Sequence, residues 1–499
     1  MQLLLIGLVL GIYLHDTPPI DAGVTRWPWR AVVAVVVVPK LLLASLYWAA
    51  CTAARRRLGT GGGWRALRRV NRLTALLPLL CLLLFATDLG VGAFYAVRGA
   101  PSGAWPLGPR DWILLDELAV MLPTLALVLW SWWAYYPVDR RLREAALIRR
   151  ADEGMPLYPV WSRRRYVASQ ARQHAALLFV PLLIIMAWTE SLVMLQIAGR
   201  LTSTQQVTLS PLGAAVGFVL APLLVRRLWD TVPLPPGPVR DKLETMCARY
   251  HVKFNDLLLW RTFGGMINAA VMGLFGRVRF VLLSDGLLDQ VYEREVEAVM
   301  AHEIAHVRLR HLWWLLLWAL SSMTALSLVG EALWKFLPQS PDHPTRLSWL
   351  TGLGYAAGLA LWAWQFGWVS RRIERQADTF AARHLTPPPE ASLEDPSAGG
   401  GSDRAENAGA NPASGRFDAQ AVLTMIGALQ RVADLNHVAA TRRSWRHGSI
   451  AWRQRHLRSL IGQPLAPTRV DRQVAAVKIA CGVILLPTVL WHTVPLITG

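Results

Sequence analysis

Five residues in two short stretches could do hydrolytic chemistry together. The first stretch is His302-Glu303-Ile304-Ala305-His306, an HExxH motif inside EVEAVMAHEIAHVRLRHLWW (295–314), which reads as one continuous helix. On a helix, positions i and i+4 share a face, so His302 and His306 can aim both imidazoles at one metal ion while Glu303 stands beside them to polarise a bound water. The second is SRRIERQADTFAARH, Ser370 to His384, which offers Glu374 and Asp378 one helical turn apart. A catalytic zinc takes three protein ligands and keeps one position open, and two His with one Glu is a standard set. Glu374 is therefore the candidate third ligand. Asp378 faces the same way and could accept the free ring N–H of a zinc-bound histidine. Two plainer readings compete: two histidines packed in a core, and a Glu374/Asp378 pair neutralised by Arg371, Arg372 and Arg375 on a solvated helix face.

The motifs AVMAHEIAH and SRRIERQAD resemble those of the integral-membrane zinc endopeptidases of the HtpX and CAAX prenyl protease type, whose third ligand is the Glu of an ExxxD motif. The segment Ile267 to Gln290 is similar to that family's N-A-x-x-x-G strand and hairpin, with Asn268, Ala269 and Gly273 at the matching positions. NAAVMG and VRFVLL are both β-rich, so they make a small sheet whose edge could take an extended peptide, or else a plain structural hairpin. The segment SWRHGSIAWRQRHLRSL (444–460) resembles the family's late motif, a His followed six residues later by an Arg, here His447 and Arg453, with Gly448 where many relatives have Pro. The resemblance implies that these two lie near the zinc and that His447 stabilises the oxyanion. Arg455, His456 and Arg458 read as a solvated or headgroup-facing surface. The likeness covers roughly 240–385 and 417–462.

The elements that must position these residues are mostly apolar. Stretches long enough to cross about 30 Å of hydrocarbon occur at 30–54, 74–97, 112–136, 175–198, 312–336, 347–369 and 475–497, with a shorter one at 210–228. The opening run, residues 2–15, has no basic stretch before it and no small-residue cleavage site, and reads as a short uncleaved span. Arginines Arg55 to Arg72 fill one loop and Arg140 to Arg172 another, whereas the intervening loops carry few. The positive-inside rule then puts both basic loops in the cytoplasm, and 229–311 and 370–474 fall on the same side.

A net charge of +19 on a soluble chain would suggest nucleic acid, but these basic residues flank spans and would meet anionic headgroups. No nucleic-acid motif accompanies them. Four cysteines, three of them in apolar spans, make neither a disulfide framework nor a zinc cluster. Lys40, Asp88, Glu117, Glu190 and Glu331 lie at membrane depth and could line a watery chamber, while snorkelling and end effects explain Lys40, Asp88 and Glu117 equally well. The Pro-, Gly- and Ser-rich stretch at 386–416 is predicted to be a disordered insertion, and helices resume at Phe417.

These observations together predict an all-α polytopic membrane protein of about nine spans with a small cytoplasmic zincin-like α+β peptidase unit. Its expected parts are an N-terminal membrane region (1–229), a peptidase core (230–385), the insertion (386–416), a helical part completing the site (417–470) and a last span (471–499). The expected function is a zinc endopeptidase with one Zn2+ per chain, cutting peptide or membrane-protein substrates for quality control or processing at the cytoplasmic face. A prenyl-protein protease or a signalling protein with a protease-like core are the alternatives. Arginine so outnumbers lysine, 47 to 5 within a combined 52, that a GC-rich bacterial genome and an inner-membrane location are favoured. No oligomeric state follows from the sequence.

Overall fold

The computed structural model describes residues 29–58, 63–91, 93, 113–152, 154, 157–174, 180–335, 344–387 and 415–498. The chain divides into two compact units, Met1–Thr231 and Val232–Gly499.

The first unit is helical: α1 (Trp29–Arg57), α2 (Gly63–Gly90), α3 (Leu115–Asp152), α4 (Arg163–His174), α5 (Val180–Ile197) and α6 (Ser203–Leu228). Val32, Val36, Leu77, Cys81, Phe85 and Met121 form a buried seam among α1, α2 and α3. The opposite faces carry apolar side chains outward, Leu42 60% and Leu46 68% exposed, which suits hydrocarbon and not water. Among the described residues, five helices here and α10 below are long and apolar enough to cross a membrane. The expected spans at 347–369 and 475–497 fall in helices of the second unit, partly on side chains outside the described residues. The opening run and most of 386–416 also lie outside them.

Two expectations need correction here. Arg65 to Arg72 and Arg140 to Arg150 are not in loops: they extend α2 and α3 beyond their apolar lengths, as befits a good helix former. Nor do Lys40 and Asp88 line a chamber, because Lys40 Nζ bonds both Asp88 oxygens at 2.7 Å and the Val36 carbonyl at 2.9 Å in a buried pair. The side chain of Glu331 is outside the described residues.

The second unit holds a sheet of order β1-β2-β4-β3, built from Thr231–Pro233, Asp256–Trp260, Ala269–Met272 and Phe280–Ser284 in chain order. Its helices are α7 (Pro238–Arg249), α8 (Asp285–Gln290), α9 (Glu293–Arg308), α10 (His311–Lys335), α11 (Pro344–Leu385), α12 (Ala419–Leu435), α13 (Ile450–Arg458) and α14 (Arg469–Thr498). Strand β4, wholly apolar until Ser284, is buried along its length between parallel β2 and antiparallel β3. That leaves β3 at an edge. Leu257, Val281, Leu283, Met300, Ile304, Phe417, Val422 and Met425 form the core on which α9 and α12 seat; each large aliphatic side chain so buried contributes about 1.5–3 kcal/mol. Gly273 ends β3 at φ +106°, where a Cβ would overlap the Val278 carbonyl oxygen, so the hairpin itself accounts for this glycine.

The HExxH stretch is not one helix. α9 ends at Arg308, Arg310 takes φ +56°, and α10 starts at His311. In contrast, the Glu374 stretch is not a separate helix but the far end of the 42-residue α11, continuous with the apolar segment before it.

Candidate metal centre

Helix α9 presents its buried face, Met300, Ala301, Ile304 and Ala305, to the core, which orients His302 and His306 toward α11. His302 Nε2 and His306 Nε2 lie 3.3 Å apart, and His302 Nε2 is 3.6 Å from Glu374 Oε2. Two atoms bound to one tetrahedral zinc, with bonds of about 2.0–2.2 Å, stand roughly 3.3–3.5 Å apart. One ligand atom from each of His302, His306 and Glu374 falls within 4.8 Å of the others. The other nitrogen of each ring is engaged elsewhere: His302 Nδ1 is 3.0 Å from Asp378 Oδ1, and His306 Nδ1 is 3.1 Å from His311 Nδ1. With those nitrogens as N–H donors, two lone pairs face each other across the gap, an arrangement that a shared cation relieves. The three residues therefore fit a metal ion.

Electrostatics agree. Burial alone would depress His302, but hydrogen bonds that it donates to Asp378 and Glu374 hold it up to about 9, marking a position that favours a cation. His306, buried and beside His302, is held well below the usual imidazole range and is neutral, as a ligand must be. Glu374 is buried yet held well below the carboxylate range by His302, His447 and Arg453. Asp378 is held down to about 2, the Arg453 guanidinium and His302 overcoming its burial. Glu303 is pushed up by burial, while its carboxylate takes the Val271 N–H of edge strand β3. That contact brings the peptide-sized edge alongside the candidate base.

The arginines that could have neutralised Glu374 and Asp378 turn elsewhere. Arg371 donates to the Trp445 carbonyl, Arg372 to the Trp368 carbonyl, and Arg375 to Gln473 while lying over the Trp452 ring. The carboxylates instead meet the histidines, His447 and Arg453.

His447 Nδ1 is 2.8 Å from Glu374 Oε1, with its side chain half exposed. The residue after it, Gly448, takes φ +75°, a conformation closed to Pro, so this loop runs differently from one with Pro there. Arg453, 6% exposed, lies behind the candidate ligands on Asp378 and Glu374. Of the strand residues, Asn268 is tied to β4 by exchanging backbone and Ser284 bonds of 2.9 Å, and Ala269 is buried opposite Leu283. His456 is not a surface residue: it packs against α11 with Nε2 3.0 Å from Thr379 Oγ1, and burial pushes it down to about 4. His311 and Gln376 went unnoticed in the sequence. They are buried, Nε2 of the first 3.0 Å from Oε1 of the second.

Residues 237–390 match the sequence profile of peptidase family M48. This part of the chain is an M48 domain. Among curated proteins, a protease HtpX homolog of Janthinobacterium sp. (strain Marseille) is 28% identical over 156 residues, covering 30% of this chain and 52% of that protein. A CAAX prenyl protease 1 homolog of Arabidopsis thaliana is 33% identical over 100 residues, 19% of this chain and 23% of that protein. The matches thus span about half or less of these relatives. The crystal structure of S. mikatae Ste24p aligns with 89% of this chain and 100% of its own at 13% identity and a TM-score of 0.41. The M48 domain contains the HExxH helix and the Glu374 end of α11, whereas His447 and Arg453 lie beyond it.

Proposed function

We propose that the chain is a zinc-dependent membrane endopeptidase, one zinc per chain, held by His302, His306 and Glu374. The observation that carries this reading is the convergence of the two Nε2 atoms, 3.3 Å apart, with a Glu374 oxygen 3.6 Å from the first, one ligand atom of each residue lying within 4.8 Å of the others. A bound zinc would lower the pKa of a water and polarise the scissile carbonyl. Glu303, whose carboxyl burial pushes up, takes a proton from the attacking water and returns it to the leaving amine nitrogen. Asp378 keeps Nδ1 of His302 protonated, so that Nε2 presents its lone pair. His447 orders Glu374 through Nδ1 and stabilises charge on the carbonyl oxygen. Substrate lies extended along β3, near Ala269 and beside Glu303, with Asn268 and Gly273 fixing the strand's ends.

About nine spans, with the site on the cytoplasmic face of a bacterial inner membrane, is the topology supported by the arginine distribution. The work proposed there is processing or quality control of membrane proteins. Prenyl-protein cleavage is the second reading, favoured by the 33% identity to the Arabidopsis protein. The test is metal analysis of purified protein with peptide assays. Glu374→Ala should lose zinc, whereas Glu303→Gln should keep zinc and lose cleavage, because a water-polarising base is not a ligand. Equal zinc in wild type and Glu374→Ala would sink the ligand set.

A further inference from the structure

Helix α9 stops two residues past His306, at Arg308, for no reason written in glycine or proline. Arg310 sits in the left-handed region, φ +56°, where a side chain is disfavoured. Had the helix continued, His311, five residues beyond His306, would be turned about 140° from it around the axis. The break instead folds His311 back until the two Nδ1 atoms are 3.1 Å apart. The last helix holds the break in place, since Lys478 of α14 donates to the Leu309 carbonyl at 3.4 Å.

From His311 a chain of bonds runs to the same helix. His311 Nε2 is 3.0 Å from Gln376 Oε1, Gln376 Nε2 donates to Asp471 Oδ1 at 2.8 Å, and Asp471 Oδ2 accepts the Thr468 N–H and Oγ1 at 2.8 and 2.9 Å at the start of α14. Donor and acceptor types allow one consistent direction. Asp471, a carboxylate, only accepts, so Gln376 gives its amide hydrogen there and offers its oxygen to His311. His311 then carries its hydrogen on Nε2 and has a lone pair on Nδ1. That lone pair accepts from His306 Nδ1–H, which leaves His306 Nε2 bare toward His302 and Glu374. His302 has a carboxylate, Asp378, directly on Nδ1; His306 reaches one only through two neutral groups.

We propose that His311, set by Gln376 and Asp471, is a positioning residue that fixes the tautomer and ring plane of His306, making α14 part of the metal site's support. This rests on the metal-centre reading above. The experiment measures zinc affinity of the full-length detergent-purified protein by chelator competition, with the visible spectrum of the Co2+-loaded protein as a second readout. His311→Leu should weaken zinc binding about 10–100-fold and alter the cobalt spectrum. Gln376→Leu should do so to a smaller extent, and decides the matter if His311→Leu does not fold. His311→Asn, whose side-chain oxygen can replace Nδ1 as acceptor, should recover most of the affinity. Wild-type affinity in the Leu variants, or no difference between Asn and Leu at 311, would overturn the proposal, since packing alone would then explain the residue. Zinc bound equally by wild type and Glu374→Ala would instead overturn the metal centre itself.

Discussion

Arg453 lies on Asp378 with two nitrogens, Nε to Oδ2 at 2.8 Å and Nη2 to Oδ1 at 2.5 Å, and both side chains are almost wholly buried. The pair joins α13 to α11 directly behind His302, whose Nδ1 shares Oδ1 of the same carboxylate. A guanidinium so enclosed balances the charge of the carboxylate that meets the histidine.

Removing that guanidinium strands a buried carboxylate. Arg453→Met should destabilise the fold by about 3–5 kcal/mol and weaken zinc binding, measured by thermal unfolding in detergent and by chelator competition. Arg453→Lys should be intermediate, since an ammonium keeps the charge without the two-nitrogen fit. Unchanged stability in Arg453→Met would show that Asp378 finds another partner.

His447 touches Glu374 through one nitrogen and is half exposed. His447→Ala should lower kcat on a peptide about 10²–10³-fold with little change in KM, the signature of an interaction made in the transition state. Zinc should remain, because Glu374 keeps the Arg453 Nη1 contact at 3.4 Å. A rise in KM at constant kcat would assign His447 to substrate binding instead.

Gly273→Ala tests the hairpin. Its positive φ and the closeness of the Val278 carbonyl predict a loss of about 1–3 kcal/mol, read as a lower melting temperature, with zinc content retained in the folded fraction. A neutral result would mean that the β3 to β4 connection can relax away from Val278.

What could be read in advance follows the helical period. His302 with His306, and Glu374 with Asp378, are each four apart, so one face of each helix is visible in the letters. Their surroundings are not. Arg453 reaches Asp378 across 75 residues, and no local pattern couples them. His311 is out of phase with His306 on an unbroken helix, and the break that brings it back falls at Arg310, with no residue that signals a turn. The edge position of β3 was within reach because β-rich runs announce strands, but the partner β2 that completes the sheet lay outside the matched hairpin.

Topology can be tested by cysteine labelling. Cysteines replacing Thr60 and Met155 should react only with reagent added from the cytoplasmic side, and one replacing Ala104 only from the opposite side. Labelling of 60 and 104 from one face would overturn the nine-span proposal and the cytoplasmic placement of the site.

The stretch between α11 and α12 should carry no part of the metal centre. Its flanks come together without it: the Asp418 N–H reaches Thr386 Oγ1 at 3.4 Å, and Asp418 caps α12 through Ala421. A short Gly/Ser linker in place of 388–414 can therefore close the gap, and loop-closure entropy changes slowly with length. Zinc content and cleavage of small unstructured peptides should match wild type. Should cleavage of membrane substrates change while peptide cleavage does not, the segment presents or gates substrate. Loss of zinc would mean that the stretch orders the end of α11, because Glu374 is the only proposed ligand on that helix and Thr386 follows its last residue, twelve positions after Glu374.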